Sequence, residues 1–205
     1  MISKANSRIG MIKRSFSNLS VKTFKLLYKS LVRPILEYCS SIWSPLYKEQ
    51  VLEIEKVQRR ATKLIKQFQH LPYSDRLKRL NLTTLVYRRH RTDVLQVFRI
   101  IHQIDKISFD DFFTYNRSNT RGHSYQLSKP RAETKLRQNT FSHRVVNVWN
   151  SLTEEVVSVN DINIFKSKLE DLWKHKDFKY DPEAPGNFWR DPCQTVSRHQ
   201  PFYCI

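Results

Sequence analysis

Glycine is nearly missing from this chain of 205 residues: Gly10, Gly122 and Gly186 are the only three. An architecture of many tight β-turns needs more, so scarcity favours helices. Acid is the second shortage, with 19 Asp and Glu against 36 Lys and Arg, a net charge of +17 and a pI near 10.0. A surplus of that size opposes compaction and draws a polyanion. Cysteine is limited to Cys39, Cys193 and Cys204 without a repeated spacing, which excludes a disulfide framework and predicts an intracellular setting, nucleus or cytoplasm. No apolar run nears the ~20 residues that span a bilayer, so no membrane partner is expected. Neither a glycine-rich phosphate loop nor a Rossmann fingerprint occurs. His70, His90, His102, His123, His143 and His175 lack a Ser or Cys nucleophile with an orienting acid at recognisable spacing, so no catalytic triad is argued.

What is present is uneven. Beyond Lys176 the cations Lys179, Arg190 and Arg198 face Asp177, Asp181, Glu183 and Asp191, a net of −1, so residues 1–176 carry +18. Apolar residues in that part recur at threes and fours, the spacing of one helical face. Ile2, Ala5, Ile9, Ile12 and Phe16 predict a first helix. Ser20 is placed to cap a second, with a stripe of Phe24, Leu27, Leu31, Ile35, Tyr38 and Ile42, a kink at Arg33 before Pro34, and an end at Ser44-Pro45. Further helices are predicted over 49–68, over 74–80 with Ser74 as cap, and over 83–103. Residues 116–140 are polar and contain Gly122 and Pro130, which predicts a loop with at most a small hairpin. Helical spacing resumes at Phe141, Val145, Val148, Trp149 and Leu152, then at Ile162, Phe165, Leu169 and Trp173.

The expected fold is mainly α, a helical bundle with a small loop or hairpin insertion and a loosely ordered C-terminal tail. Its parts are a helical region over 1–115, the basic loop 116–140, helices packing on the bundle over 141–176, and a Pro-containing tail over 177–205. The expected core gathers Phe24, Leu27, Leu31, Ile35, Trp43, Ile54, Val57, Leu64, Leu85, Leu95, Phe98, Val145, Trp149, Phe165 and Leu169. Cys39 is expected in that core as a small apolar residue, and Trp43, Trp149 and Trp173 as anchors.

Between Lys56 and Arg91 eleven basic side chains stand against one acid, Asp75. Arg59, Lys63 and Lys66 are spaced for one helical face, a row that suits phosphates without reading sequence. The candidate nucleic-acid contacts here are Arg59, Arg60, Lys63, Lys66, Arg76, Arg79, Arg88 and Arg89; Arg121 and Arg131 from the loop and Arg144 beyond it complete the set. The loop interleaves its cations with Tyr115 and Tyr125, a combination that stacks on unpaired bases.

The order of residues also resembles a known family. LYKSLVRPILEY at Leu27–Tyr38, WSP at Trp43–Pro45, VQRRATK at Val57–Lys63 and YSDRLKRLNLTTLVYRRHRTD at Tyr73–Asp93 carry the likeness. TRGHS at Thr120–Ser124, FSHRVVNVWNSL at Phe141–Leu152 and FKSKLEDLW at Phe165–Trp173 extend it over roughly residues 4–175. The string resembles the segment after the polymerase core in non-LTR (LINE-type) retrotransposon reverse transcriptases, notably the jockey and chicken-repeat clades. That resemblance implies a helical thumb gripping template and growing strand, a polymerase palm as a further partner, and an RNA-directed DNA polymerase with endonuclease as parent. Endonuclease, fingers and palm are missing, so this chain is not expected to be an enzyme alone.

Two motifs invite chemistry and do not sustain it. Asp110-Asp111, between Phe109 and Phe112, has the look of a metal-holding aspartate pair, but neither a third upstream carboxylate nor a nucleotide pocket accompanies it. Its expected role is to begin a short helix holding Phe112 and Phe113. Cys193, His199 and Cys204 form C-x5-H-x4-C, three ligands where a closed zinc site takes four. No metal and no cofactor is therefore expected. The expected function is a non-catalytic grip on RNA or DNA backbone phosphates; the alternative is a helical interaction module docking on a polymerase core or other partner without nucleic-acid binding of its own.

Overall fold

The computed structural model describes residues 1–116 and 122–184. The fold is mainly α-helical, and the described residues hold no β-strand, only one antiparallel bridge between Tyr115 and Leu127. The expected tail over 177–205 is described only as far as Ala184.

Helix α1 (Ile2–Ser15) buries Ala5, Ile9 and Ile12 of the predicted stripe, while Ile2 is half-buried and Phe16, past the helix end, is exposed. Helix α2 (Val21–Leu27) starts where Ser20 accepts a hydrogen bond from the Thr23 amide at 3.1 Å. Its continuation departs from the expected stripe. Tyr28–Val32 form a π-helical turn, α3 (Arg33–Glu37) follows, and the buried residues are Phe24, Tyr28, Val32 and Leu36. Leu27, Leu31 and Ile35 are only half-buried, while Tyr38 and Ile42 are 74% and 80% exposed. Pro34 explains the shift: it offers no N–H to the Ser30 carbonyl, the hydrogen-bond ladder slips by one residue, and a wider turn advances the buried face by fours. The helix also stops before Ser44-Pro45, because Tyr38 leaves the helical region at ψ 128° and Cys39 adopts a left-handed φ of 52°. That corrects the placement of Cys39, which is exposed.

Helix α4 (Lys48–Thr62) is shorter than the predicted 49–68. The Thr62 hydroxyl bonds the Arg59 carbonyl, the last amides turn back by three residues, and Ile65 is extended before a short 3-10 turn over Lys66–Phe68. Arg59, Lys63 and Lys66 therefore do not lie on one continuous helix. Helix α5 (Tyr73–Leu80) begins one residue before Ser74, which is not its cap, and ends on left-handed Asn81. Helix α6 (Leu85–Ile101) is capped by Thr84, whose hydroxyl accepts from the Tyr87 amide at 3.1 Å.

Asp110 and Asp111 lie in a turn, not a helix; the Phe113 amide bonds the Phe109 carbonyl and the Phe113 ring is buried. Around the bridge, Asn116 N–H donates to the Gln126 carbonyl and Ser128 N–H to the Thr114 carbonyl. Within the stretch read as a loop or small hairpin, Lys135–Gln138 instead form a helical turn, α7, because Thr134 accepts from the Arg137 amide. Helices α8 (Phe141–Asn150), α9 (Glu154–Val157) and α10 (Ile162–Leu172) follow, the last capped by Asp161, and a short 3-10 turn over Asp177–Lys179 comes after them.

The buried residues form two clusters that meet at α6. The first joins α1 to α5 through Ile9, Phe24, Leu36, Ile54, Leu80 and Leu85. The second joins α6, α8, α9 and α10 through Val94, Phe98, Val145, Trp149, Phe165 and Leu169. Burial of each such side chain contributes roughly 1.5–3 kcal/mol. Of the expected core, Leu64, Leu95 and Trp43 are half-buried at its margins.

Candidate nucleic-acid interface

The expected cations separate into two kinds once their surroundings are known. Arg88 holds the Glu37 carboxylate with both Nε and Nη2, the latter at 2.9 Å. Arg144 grips Asp93 at 2.8 and 3.0 Å and donates to the Ser40, Ser41 and Asn139 carbonyls, tying α6 and α8 to the loop after α3. Arg89 is 2% exposed, donates to the Leu36 carbonyl and lies 5.2 Å from the Trp43 ring centroid. Arg76 is 3% exposed and donates to the Arg59 carbonyl. Arg59 meets Glu183 at 3.1 Å, and Arg59 and Arg76 both sit over the Tyr73 ring. These five guanidinium groups stitch helices together.

The others stand open. Arg60 and Lys63 are exposed at the end of α4, with no ion-pair partner among the described residues. Lys66 is exposed and, among the described residues, donates to the Asn18 side chain at 3.2 Å. Arg79 is exposed on α5 and lies 5.8 Å from the Phe68 ring, and Lys78 lies 5.7 Å from the Tyr180 ring. The Arg79–Phe68 and Arg76–Arg59 contacts place α5 beside the end of α4 and the Lys66–Phe68 turn. The open cations thereby share one edge, near the negative end of the α4 dipole, which steadies them. Arg131 is exposed on the loop. Arg121 and its Arg121-Gly122-His123 motif lie across the limit of the described residues, and Arg121 is outside them, as is Arg117. Within the described part, His123 is buried, with Nε2 3.1 Å from the Trp149 carbonyl.

Beneath this edge lies a buried polar network that the sequence pattern did not single out. Tyr28 donates to Gln58, Gln58 donates to Tyr73 and to the Thr83 carbonyl at 2.9 Å each, and Tyr73 donates to Glu55. Glu55 also accepts the Leu85 amide at 3.0 Å, a carboxylate at the N-terminus of α6. Burial dominates and pushes the Glu55 carboxyl up to about 7, against the opposing pull of Tyr73 and Leu85. The signal was present: Glu55, Gln58 and Thr62 interrupt an otherwise apolar stripe of Val51, Ile54, Val57 and Ala61. Polar groups on such a face are retained when they satisfy one another.

Among the described residues no group of three or more His, Cys, Asp or Glu side chains is placed to hold a metal ion. Cys193, His199 and Cys204 lie outside the described residues. No described helix is long and apolar enough to cross a membrane. The class defined by the fold is thus a mainly helical bundle with a cationic edge. Comparison with family models, curated proteins and solved structures gave no match for this chain.

Proposed function

We propose that this chain grips RNA or DNA through backbone phosphates at the α4–α5 edge, without catalysing synthesis itself. The observation that carries the reading is the segregation of cations: Arg60, Lys63, Lys66 and Arg79 are exposed and free of carboxylate partners among the described residues, whereas the buried arginines are consumed internally. A phosphate backbone offers these side chains what the fold withholds, and arginine adds bidentate geometry. The resemblance to the post-polymerase segment of LINE-type reverse transcriptases supports the same assignment, and with it a parent polymerase whose palm lies elsewhere. Phe68 and Tyr180 among the cations supply apolar faces for sugars or unpaired bases.

The test is a salt titration of binding to a labelled single-stranded RNA, its DNA counterpart and the hybrid duplex. Replacing Arg60, Lys63 and Lys66 together by Glu leaves the core untouched, and should weaken binding by about tenfold or more and flatten the dependence on salt. Unchanged affinity and slope would remove the α4–α5 edge from the interface.

A further inference from the structure

Met1, Lys4, Pro34, Ile35, Tyr38 and Trp43 line a groove of about 680 Å³ between the start of α1 and the end of α3. That volume falls within the ~300–1,000 Å³ of natural ligand pockets. Its walls are apolar and its one charged lining residue is a lysine. The groove is also built. Trp43 Nε1 donates to the Tyr38 carbonyl at 2.8 Å, and Arg89 packs on the indole, so the ring is fixed from two sides. Left-handed Cys39 turns the chain so that Tyr38 and, beyond it, Ile42 project outward, at 74% and 80% exposure, with Met1 43% exposed across the groove. Exposed bulky side chains gathered around a concavity mark an interaction surface.

Charge selects the occupant. Within residues 1–47 the only acid is Glu37, against Lys4, Arg8, Lys13, Arg14, Lys22, Lys25, Lys29 and Arg33. Glu37 is already held by Arg88. A second copy of a +17 chain would bring like charge to this surface. A bare phosphate strand leaves Tyr38, Ile35 and Met1 without partners.

We propose that this groove seats a short acidic, amphipathic segment of a partner protein, its bulky apolar anchors beside Trp43 and its carboxylates toward Lys4 and the other cations of α1. This gives the protein-docking expectation a surface and a partner chemistry, and it is independent of the cations on α4 and α5. Helix-in-groove recognition of this kind reads anchors at i, i+3, i+4 and i+7.

The probe is a fluorescein-labelled synthetic helix of about 14 residues with Leu and Trp at those positions and Glu elsewhere. Anisotropy with the full chain should show saturable binding. An all-Glu peptide without anchors, or the same helix with Lys for Glu, should bind at least about tenfold more weakly. Tyr38→Asp and Ile42→Asp alter exposed side chains, so folding should persist by circular dichroism while binding falls by about tenfold. Both variants should bind RNA as the parent does, which separates failure here from failure of the α4–α5 assignment. Equal binding of the anchorless peptide, or parental affinity in both variants, overturns the proposal. So would loss, in those variants, of binding to anionic phosphatidylserine vesicles or to RNA in place of the peptide.

Discussion

The two halves of the interior are held together by different means. The second cluster is aromatic: Phe98 stacks on Phe165 with centroids 4.2 Å apart, Trp149 lies 6.1 Å from Phe165, and Trp173 packs edge to face with both Tyr87 and Phe178. The first cluster surrounds its apolar side chains with a relay of Tyr28, Gln58, Tyr73 and Glu55, and seals its flank with Arg76 and Arg89. Aromatic pairs set the orientation of neighbouring rings through their quadrupoles, whereas the hydrogen-bonded relay ties the π-turn, α4, α5 and the start of α6 to one another through polar side chains. The half with the cationic edge is thus the half whose buried interior holds the polar relay.

The largest way to break this comparison is in the aromatic half. Trp149 is fully buried and its Nε1 donates to the Tyr125 carbonyl, so Trp149→Ala should cost about 3–5 kcal/mol in urea unfolding. A loss under 1 kcal/mol would mean the second cluster does not depend on that ring. Next is the ion pair between α6 and α8: Asp93→Ala leaves the Arg144 guanidinium partly buried without its carboxylate, and should cost about 3 kcal/mol by the same measurement. Neutral behaviour would show that the carbonyls of Ser40, Ser41 and Asn139 suffice.

The relay makes a prediction with a sign. Glu55 ionises near 7 when folded and near 4.5 otherwise, so between those values the folded state keeps a proton that the unfolded chain releases. Stability should then fall as pH rises from 4.5 to 7 and level off above, by at most about 3 kcal/mol from this group. Comparing Glu55→Gln with the parent at pH 5 and pH 8 isolates it. An identical slope in both proteins would assign the pH dependence elsewhere. The smallest effect is expected at the joint: Thr84 caps α6 and donates to the Phe178 carbonyl at 2.6 Å, so Thr84→Ala should cost about 1–2 kcal/mol and expose α6 amides to faster hydrogen exchange. Unchanged exchange at Tyr87 would refute the cap's role.

Much of this was readable before any coordinates. The α1 stripe, the Ser20 cap and the helical spacing of Phe165 and Leu169 follow from local periodicity, which short-range sterics enforce. The π-turn was not, because Pro34 predicts a break without saying whether the chain bends or slips; the slip moves burial from Leu27, Leu31 and Ile35 to Tyr28, Val32 and Leu36. For the site, the surplus of charge was plain and its allocation was not. Arg88 finds Glu37 and Arg144 finds Asp93 across 51 residues each, separations at which spacing carries no information. Arg59, Lys63 and Lys66 looked like one row only while α4 was taken to continue past Thr62.

The direct measurement of the central claim is lysine footprinting by acetylation, with and without bound RNA. Lys63, Lys66 and Lys78 lie at the α4–α5 edge, while Lys174 and Lys176 are exposed in the aromatic half. RNA should protect the first three and leave Lys174 and Lys176 as reactive as in the free protein. Uniform protection of all five, or protection confined to Lys174 and Lys176, would contradict a phosphate grip located at that edge.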